Sequence, residues 1–466
     1  MNTKPISNRV FHAIIKYFQQ IIDGSEFDHH VYFVGGCVRD DILHRDIKDI
    51  DVVVDLRDGG KRLAYYLKDK GILKDDKIVE LPTYNTYKFC IQVTDNNETF
   101  DVEFECTQTR KINPDKSTER NSVDNFGSIY DDAKCRDFTI NALYYDIAHH
   151  IVISPLGNYA WDLIKMNILH CCDKPEITFN DDPLRVFRAV RFLSTLSHFD
   201  LHVKDYETIK EHNYSIANIS WQRINVEMNK ICMSGNFGNR DDIIELLYYI
   251  FQENCNNVPS FLHSAPKYEY VNKVRTWAEV VPQYMLNTMY KDGYNPNYIN
   301  EIKHMEFSNN DFNLIKDIYT LVSKLMNIYK KGNINDDKQD KYYRLLVKYA
   351  YNNKYGNEIT WKAINIACSY FNTIIKSENL QENGFLPRGF YDNNCYMPNL
   401  GIEEFVGYKL PITGDMIKET LGISEGPEIK QVMDYCFNEV VSGNVLNNDI
   451  TSMLRLAKQK FGSTEE

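Results

Sequence analysis

The stretch VYFVGGCVRDDILHRDIKDIDVVVD (31–55) decides the fold. It opens on a short apolar run, VYFV (31–34), breaks at Gly35 and Gly36, crosses a charged segment with helical character, and returns as DIDVVVD (49–55). Short apolar runs bounded by glycine read as buried strands. Side chains at i and i+2 of a strand share a face, so Asp49 and Asp51 are expected to project together while Ile50 and Val52 face the other way. Two carboxylates on one face repel unless a cation lies between them. Hard oxygen ligands suit Mg²⁺, and two such ions about 4 Å apart can clamp an attacking hydroxyl and a leaving pyrophosphate. Gly35 and Gly36 let backbone N–H groups approach phosphate oxygens closely, and Arg39 can reach the same oxygens with its planar fork. The expected ligand is a nucleoside triphosphate with its metal. Alone, an Asp-x-Asp is equally a solvated strand edge and a Gly-Gly an ordinary turn; their joint spacing, with an arginine between, favours the phosphate cradle.

Outward from this stretch the pattern stays mixed α/β. Ser7 can cap a helix whose apolar face is Val10, Phe11, Ile14, Ile15, Phe18 and Ile22. GGKRLAYYLKDKG (59–71) reads as a helix, and YKFCIQV (87–93) and TFDVEFE (99–105) read as paired strands turning at DNNE (95–98). From about residue 156 the helical period dominates, most clearly in 181–196, 220–233 and 241–251. NINDDKQDKYY (333–343) is a polar junction and ENGFLPRGFYDNNCYMPNLG (382–401) a linker candidate.

The bulk numbers bound the function. The chain has 466 residues, enough for about three domains. The net charge of −12 counts mildly against a protein coated in nucleic acid, although a local basic face can sit in an acidic remainder. The 11 cysteines are scattered, with one adjacent pair (Cys171, Cys172) and no C-x-x-C, which points to reduced thiols in a cytoplasmic setting, without structural zinc or disulfides. The N-terminus is read as an amphipathic helix, not a signal peptide, and no apolar run is long enough for a membrane span.

G-G-x-V-R-D followed by D-x-D resembles the head signature of the class II tRNA nucleotidyltransferases, a family of CCA-adding enzymes and bacterial-type poly(A) polymerases. The resemblance implies an α+β fold: a DNA polymerase β-like nucleotidyltransferase head with a mixed sheet, followed by all-α neck, body and tail domains. The boundaries expected are 1–155 for the head, 156–236 for the neck, 237–395 for the body and 396–466 for the tail. Family spacing is kept from Gly35 to Asp51, with His44 where the family usually has glycine.

Further segments carry the same resemblance in family order. FDVEFECTQTR (100–110) is similar to a family strand; Asp101 or Glu103 is then a candidate third carboxylate, and a polar strand face explains the alternation equally well. DDAKCRDFTINALYYDI (131–147) resembles R-R-D-F-T-I-N-A-L, with Arg136 and Asp137 matching. There the family's arginine and aspartate help to hold the sugar. Cys135 replaces the first arginine, and Lys134 is a candidate to restore its charge. Asp137 could equally cap the helix that follows. ISWQRINVEMNKICMSGN (219–236) and LPITGDMIKETLGISEGPEIKQVMDYCFNEVVSG (410–443) resemble the family's neck brace and its tRNA-gripping tail.

The most telling helix is FNDDPLRVFRAVRF (179–192). Asp182 and Arg185 lie on neighbouring positions of one face, ordinarily a cap and a salt bridge. Cytosine and adenine each offer an amino donor beside a ring-nitrogen acceptor. A carboxylate can take the first and a guanidinium can serve the second. Uracil and guanine reverse the pattern and would leave buried groups mispaired, at roughly 1–3 kcal/mol each. The family uses its E-D-x-x-R motif in this way; here it reads Asp181-Asp182-Pro183-Leu184-Arg185, and Arg188 and Arg191 match family arginines near the triphosphate. The resemblance implies Mg²⁺, CTP, ATP and tRNA as partners and CCA addition as the activity. A poly(A) polymerase, a relative adding only CC or only A, and a non-catalytic tRNA-binding protein remain alternatives.

Overall fold

The computed structural model describes residues 6–82, 85–95, 97–111, 125–211, 214–236, 240–252, 258–263, 276–287, 289–331, 337–352, 356–377 and 405–462. The linker candidate at 382–401 lies outside them. The quoted stretch folds as a unit: β1 (Val31–Val34), α2 (Gly36–Ile42) and β2 (Ile50–Val54), preceded by α1 (Asn8–Ile22). Next come α3 (Gly59–Asp69), β3 (Val79–Leu81), β4 (Thr86–Asp95), β5 (Glu98–Gln108) and α4 (Ile129–Lys134). A 3-10 turn at Thr139–Asn141 leads to β6 (Tyr144–Asp146) and β7 (Ile151–Ile153), and then to α5 (Asn158–Lys165), β8 (Ile168–Leu169), α6 (Pro175–Asp181) and α7 (Leu184–Thr195). β9 (Asp200–Leu201), α8 (Val203–Lys210), α9 (Trp221–Met233) and α10 (Asp241–Phe251) complete this part of the chain.

Seven strands form one mixed sheet in the order β3-β4-β5-β2-β1-β6-β7. β2 and β5 run parallel, in the register Asp51↔Glu105, and the neighbouring pairs β1–β2 and β4–β5 are antiparallel. β1 and β2, at the centre, are buried almost throughout, whereas β4 and β5 alternate between buried and more exposed positions. α1 buries the apolar face read from its sequence, and Phe18 stacks on Phe104 with ring centroids 5.5 Å apart. Phe89 stacks on Phe104 at 5.5 Å and Phe33 leans on it at 6.1 Å. Tyr32, Val34 and Val53 cover the opposite face with Ala133, Ala142 and Tyr144. Strand alternation places Asp51 on this second face, beside Val53.

His44 has φ +54°, a left-handed conformation that favours glycine, and this accounts physically for the residue usual at that position in the family. Sheet strand β2 begins at Ile50, so Asp49 stands just before the ladder and not within it as the alternation suggested. α7 starts at Leu184, after Pro183, three residues later than its pattern.

The chain divides into two compact units, Met1–Ile219 with Arg240–Cys255, and Ser220–Asn239 with Asn256–Glu466. The second unit is helical. Its long helix α14 (Asn309–Lys331) buries Leu314, Ile315, Ile318, Leu321, Val322 and Leu325 at the spacing of a single face. Near its end, α17 (Gly414–Leu421) stops at Gly422, φ +66°, and α18 (Pro427–Val441) starts on Pro427. Among the described residues no helix is long and apolar enough to cross a membrane.

Phe104 has no exposed surface and meets three aromatic rings. Phe104→Ala should therefore cost about 3–5 kcal/mol of stability, read from urea denaturation; a loss below about 1 kcal/mol would contradict this packing.

Candidate active site

The end of β1 and the start of β2 create the first half of the site. Gly35 has φ +75° and ψ −130°, and a Cβ placed on it would lie 3.0 Å from Asp51 Oδ2 and 3.5 Å from Arg136 Nη1. Only glycine combines this backbone with that approach. Gly36 begins α2, and Arg39, a turn further on, donates through Nη1 to Asn141 Oδ1 at 2.9 Å and forks onto Asp40.

Asp51 is half-buried and Asp49 exposed. Burial pushes the Asp51 carboxyl up to about 6; Asp49 adds to the rise, Arg136 opposes it, and Glu105 adds a smaller increment. A carboxylate held this far from its ordinary range is short of positive charge. The β2–β5 register makes Glu105 its neighbour, and Lys88 is ion-paired to Glu105. Of the two strand residues suggested as a third carboxylate, Asp101 is bound to Lys74 at 2.5 Å and Gln92 at 3.2 Å, two side chains away from Glu105 on the same strand face. Glu103 lies between them and is paired in the sheet with Cys90. The acidic side chain beside Asp51 is Glu105. The alternation of 100–110 could not show this, because the strand register selects it. Asp49, Asp51 and Glu105 offer the hard oxygen ligands a divalent cation prefers, and the raised Asp51 is the group such an ion would relieve.

A cavity of about 190 Å³ opens beside these groups, lined among others by Asp51, Glu105, Arg110, Asp132 and Arg136. Arg136 is fixed by Asp132 Oδ2 at 3.0 Å and by Tyr144 Oη at 3.0 Å; Tyr144 donates in turn to Asp132 at 2.5 Å. Despite its burial, the guanidinium is held firmly charged by Tyr144, Asp132 and Asp51. Cys135, in the place of the family arginine, is buried, its thiol raised to about 11 by burial and directed at the Arg110 carbonyl at 3.7 Å. Lys134 does not replace the missing charge at this cavity; its Nζ lies 4.6 Å over the Tyr130 ring. Arg110 provides a cation there instead.

The second half of the site is a group of arginines. Arg39, Arg188 and Arg191 all lie over the Phe192 ring, at 5.3, 5.9 and 4.4 Å from its centroid. Asp137 organises them. Its Oδ2 accepts from Arg188 Nε at 2.8 Å, and its Oδ1 accepts from Asn141 Nδ2 and the Phe138 N–H, both at 2.9 Å. Burial pushes the Asp137 carboxyl up, but Arg188, Asn141 and Arg185 outweigh it and hold the group below the usual carboxylate range. Asn141 therefore links Arg39 to Asp137 and Arg188. Three cations that are far apart in sequence share one apolar ring and one chain of hydrogen bonds.

Asp182 and Arg185 stand at the α6–α7 junction. Asp182 caps α6, and its Oδ1 accepts from the Leu184 N–H at 3.3 Å. Arg185 is buried and donates to Thr178 O at 3.1 Å and to Cys135 O at 2.6 Å, with Asp181 Oδ2 at 3.2 Å from Nη1. The acidic partner in that ion pair is thus Asp181, four residues back, where the face argument favoured Asp182. Glu105, Arg110, Asp132, Asn141, Tyr144 and Phe192 are the site residues that the sequence reading did not select. Asn141 and Tyr144 fall inside the 131–147 motif and Glu105 and Arg110 inside 100–110, so the motifs marked the region without ranking their members.

The fold and this site define a DNA polymerase β-like nucleotidyltransferase head, and residues 31–168 match the family model described as the Poly A polymerase head domain. Over that segment the chain carries a head domain similar to those of class II tRNA nucleotidyltransferases and bacterial-type poly(A) polymerases. It is 28% identical over 270 residues to a CCA-adding enzyme of Lactococcus lactis subsp. cremoris, a match covering 56% of this chain. That match spans 61% of the relative's length. A CCA-adding enzyme of Streptococcus uberis is 24% identical over 430 residues, 89% of each chain. In fold, the chain is similar to the crystal structure of the Bacillus stearothermophilus CCA-adding enzyme in complex with CTP, with a TM-score of 0.62, 19% identity, and coverage of 97% of this chain and 98% of that one.

The raised Asp51 has a stability consequence. A carboxyl whose folded value exceeds its unfolded one contributes stability below the unfolded value, and that stability is lost as pH rises through about 6. In metal-free buffer at pH 8, Asp51→Asn should therefore melt above the wild type, with the gap closing towards pH 4. Added Mg²⁺ should raise the melting temperature of the wild type and leave the variant unmoved; an equal Mg²⁺ shift in both would contradict the assignment.

Proposed function

We propose that the chain adds nucleotides to the 3′ end of tRNA, taking CTP and ATP and building CCA without a nucleic-acid template. The observation that carries this reading is the meeting, in one compact unit, of a charge-deficient carboxylate (Asp51 beside Asp49 and Glu105) with three arginines gathered on Phe192. One set suits a divalent cation and the other a polyphosphate. The relatives named CCA-adding enzymes support the choice of activity, as do similar solved structures of CCA-adding enzymes, which include complexes with CTP, ATP and tRNA.

In this reading Asp49 and Asp51 hold Mg²⁺, with Glu105 at their side. Bound there, the ion would offset charge on the nucleotide phosphates and favour the ionised form of the RNA 3′-hydroxyl. Gly35 and Gly36 bring backbone N–H groups to the triphosphate, and Arg39, Arg188 and Arg191 clamp it. Arg136 and Asp137 fix the wall around the sugar, Arg136 through its bonds to Asp132 and Tyr144. The 3′-hydroxyl attacks the α-phosphorus and pyrophosphate leaves; positioning and preorganised charge carry the rate. Asp182 accepts from the amino group of C or A. Arg185 has five N–H donors, and those not given to Thr178, Cys135 and Asp181 serve the ring nitrogen. The head is assigned to 1–155, the neck to 156–236, the body to 237–395, and a tRNA-binding tail to 396–466.

Two variants test the roles. Asp49→Ala with Asp51→Ala should reduce incorporation into tRNA lacking its 3′ end by at least about 10³-fold with the fold retained by circular dichroism; near-normal incorporation would refute the metal assignment. Asp182→Ala should either lose C and A addition or relax rejection of UTP and GTP by about tenfold or more, measured with each labelled nucleotide separately. Unchanged selectivity at unchanged rate would refute the base-reading role. Wild-type product length separates three-nucleotide addition from an A tail or a partial CC or A product.

A further inference from the structure

A second cluster of ligating side chains lies outside the site described above. β8 and β9 are parallel and pair Ile168↔Asp200 and Leu169↔Leu201. The residues that follow each strand are His170 and His202, and the ladder is prolonged by the His202 N–H donating to Leu169 O at 2.9 Å. The two imidazoles stand side by side, with ring centroids 4.0 Å apart. His202 caps α8, and Asp205 follows three residues later, one turn into that helix. Its Oδ2 lies 2.5 Å from His170 Nδ1. One ligand atom from each of His170, His202 and Asp205 can be chosen so that all lie within 4.8 Å of one another.

The charge balance of this group is unusual. Asp205 is fully buried. Its Oδ1 accepts from the Cys171 N–H at 3.3 Å, and among the described residues its ion-pair partner is His170, not a lysine or arginine. A buried carboxylate needs a positive charge close by. A bound cation would supply one, beside the two stacked imidazoles. Two neutral imidazoles and one carboxylate are the forms in which these residues bind a metal.

We propose that His170, His202 and Asp205 bind one Zn²⁺-type ion that clips the β8–β9 ladder to the first turn of α8. Two nitrogens and one oxygen suit a borderline transition ion better than Mg²⁺. Tetrahedral zinc sets its ligand atoms roughly 3.3 Å apart, so binding draws His202 inward and opens the short His170–Asp205 contact. Coordination through His202 Nδ1 would replace the weak bond that this nitrogen accepts from the Lys204 N–H at 3.3 Å. His170 also lines a cavity of about 630 Å³, from which water can fill the fourth position. The ligands are a different set from Asp49, Asp51 and Glu105, so the inference stands whether or not the chain acts on tRNA.

The test uses the full-length protein, stripped with chelator and titrated with Co²⁺ alone and then with Zn²⁺ alone. We expect a visible ligand-field band that saturates at one Co²⁺ per chain in the Asp49→Ala, Asp51→Ala background, is displaced by Zn²⁺, and is accompanied by a Zn²⁺-dependent rise in melting temperature. The Asp49→Ala, Asp51→Ala double variant should keep the band. His202→Ala and Asp205→Asn should each weaken Co²⁺ binding by at least about tenfold. His202 is partly exposed, so its variant keeps the comparison valid if the Asp205 variant fails to fold. No bound Co²⁺, or a band that His202→Ala leaves unchanged, overturns the proposal.

Discussion

The structure turns on the Asp51 carboxylate, pressed against the backbone of Gly35 and facing Arg136. It is drawn away from water on a strand between two others, so its negative charge is poorly solvated, and Asp49 and Glu105 make the deficit larger. Arg136 offsets part of it, with its Nε and Nη2 held by Asp132 and Tyr144. A protein that holds acidic groups in this state keeps a place for a cation at some expense in stability. Much of the surrounding geometry follows. Gly35 must be glycine, β2 must lie between β1 and β5, and Tyr144 must be buried to hold Arg136.

The arginines form the complementary half. Their mutual repulsion is contained by one aromatic face and by Asp137, whose carboxylate is stabilised by the hydrogen bonds it accepts and the cations beside it. The network joins α2, the turn at Thr139–Asn141 and α7, so residues more than a hundred positions apart meet in one cluster. This also reconciles a chain of net charge −12 with an anionic ligand: the balance is local, and a sum over 466 residues does not report it.

The head was largely legible because its signals are short-range. β1, α2 and β2 follow from apolar runs, paired glycines and alternation, and the Asp-x-Asp pair is visible without coordinates. The misreadings required long-range information. Glu105, rather than Asp101 or Glu103, stands beside Asp51 because β2 and β5 run parallel in one particular register, which alternation within β5 cannot contain. Arg110, not Lys134, reaches the cavity because α4 turns Lys134 towards Tyr130. Arg185 faces Asp181 because Pro183 delays the start of α7 and leaves Asp182 as the cap between two helices. The left-handed backbone at His44 is not marked by histidine itself, only by the glycine usual at that position in the family the sequence resembles.

The most direct measurement is a crystal structure with CTP and Mn²⁺, collected at the manganese absorption edge. The account predicts an anomalous peak within ligand distance of Asp49 and Asp51, about 2.0–2.2 Å, with the triphosphate lying against Arg39, Arg188 and Arg191. A triphosphate bound elsewhere, or manganese that leaves the Asp51 carboxylate untouched, would contradict it.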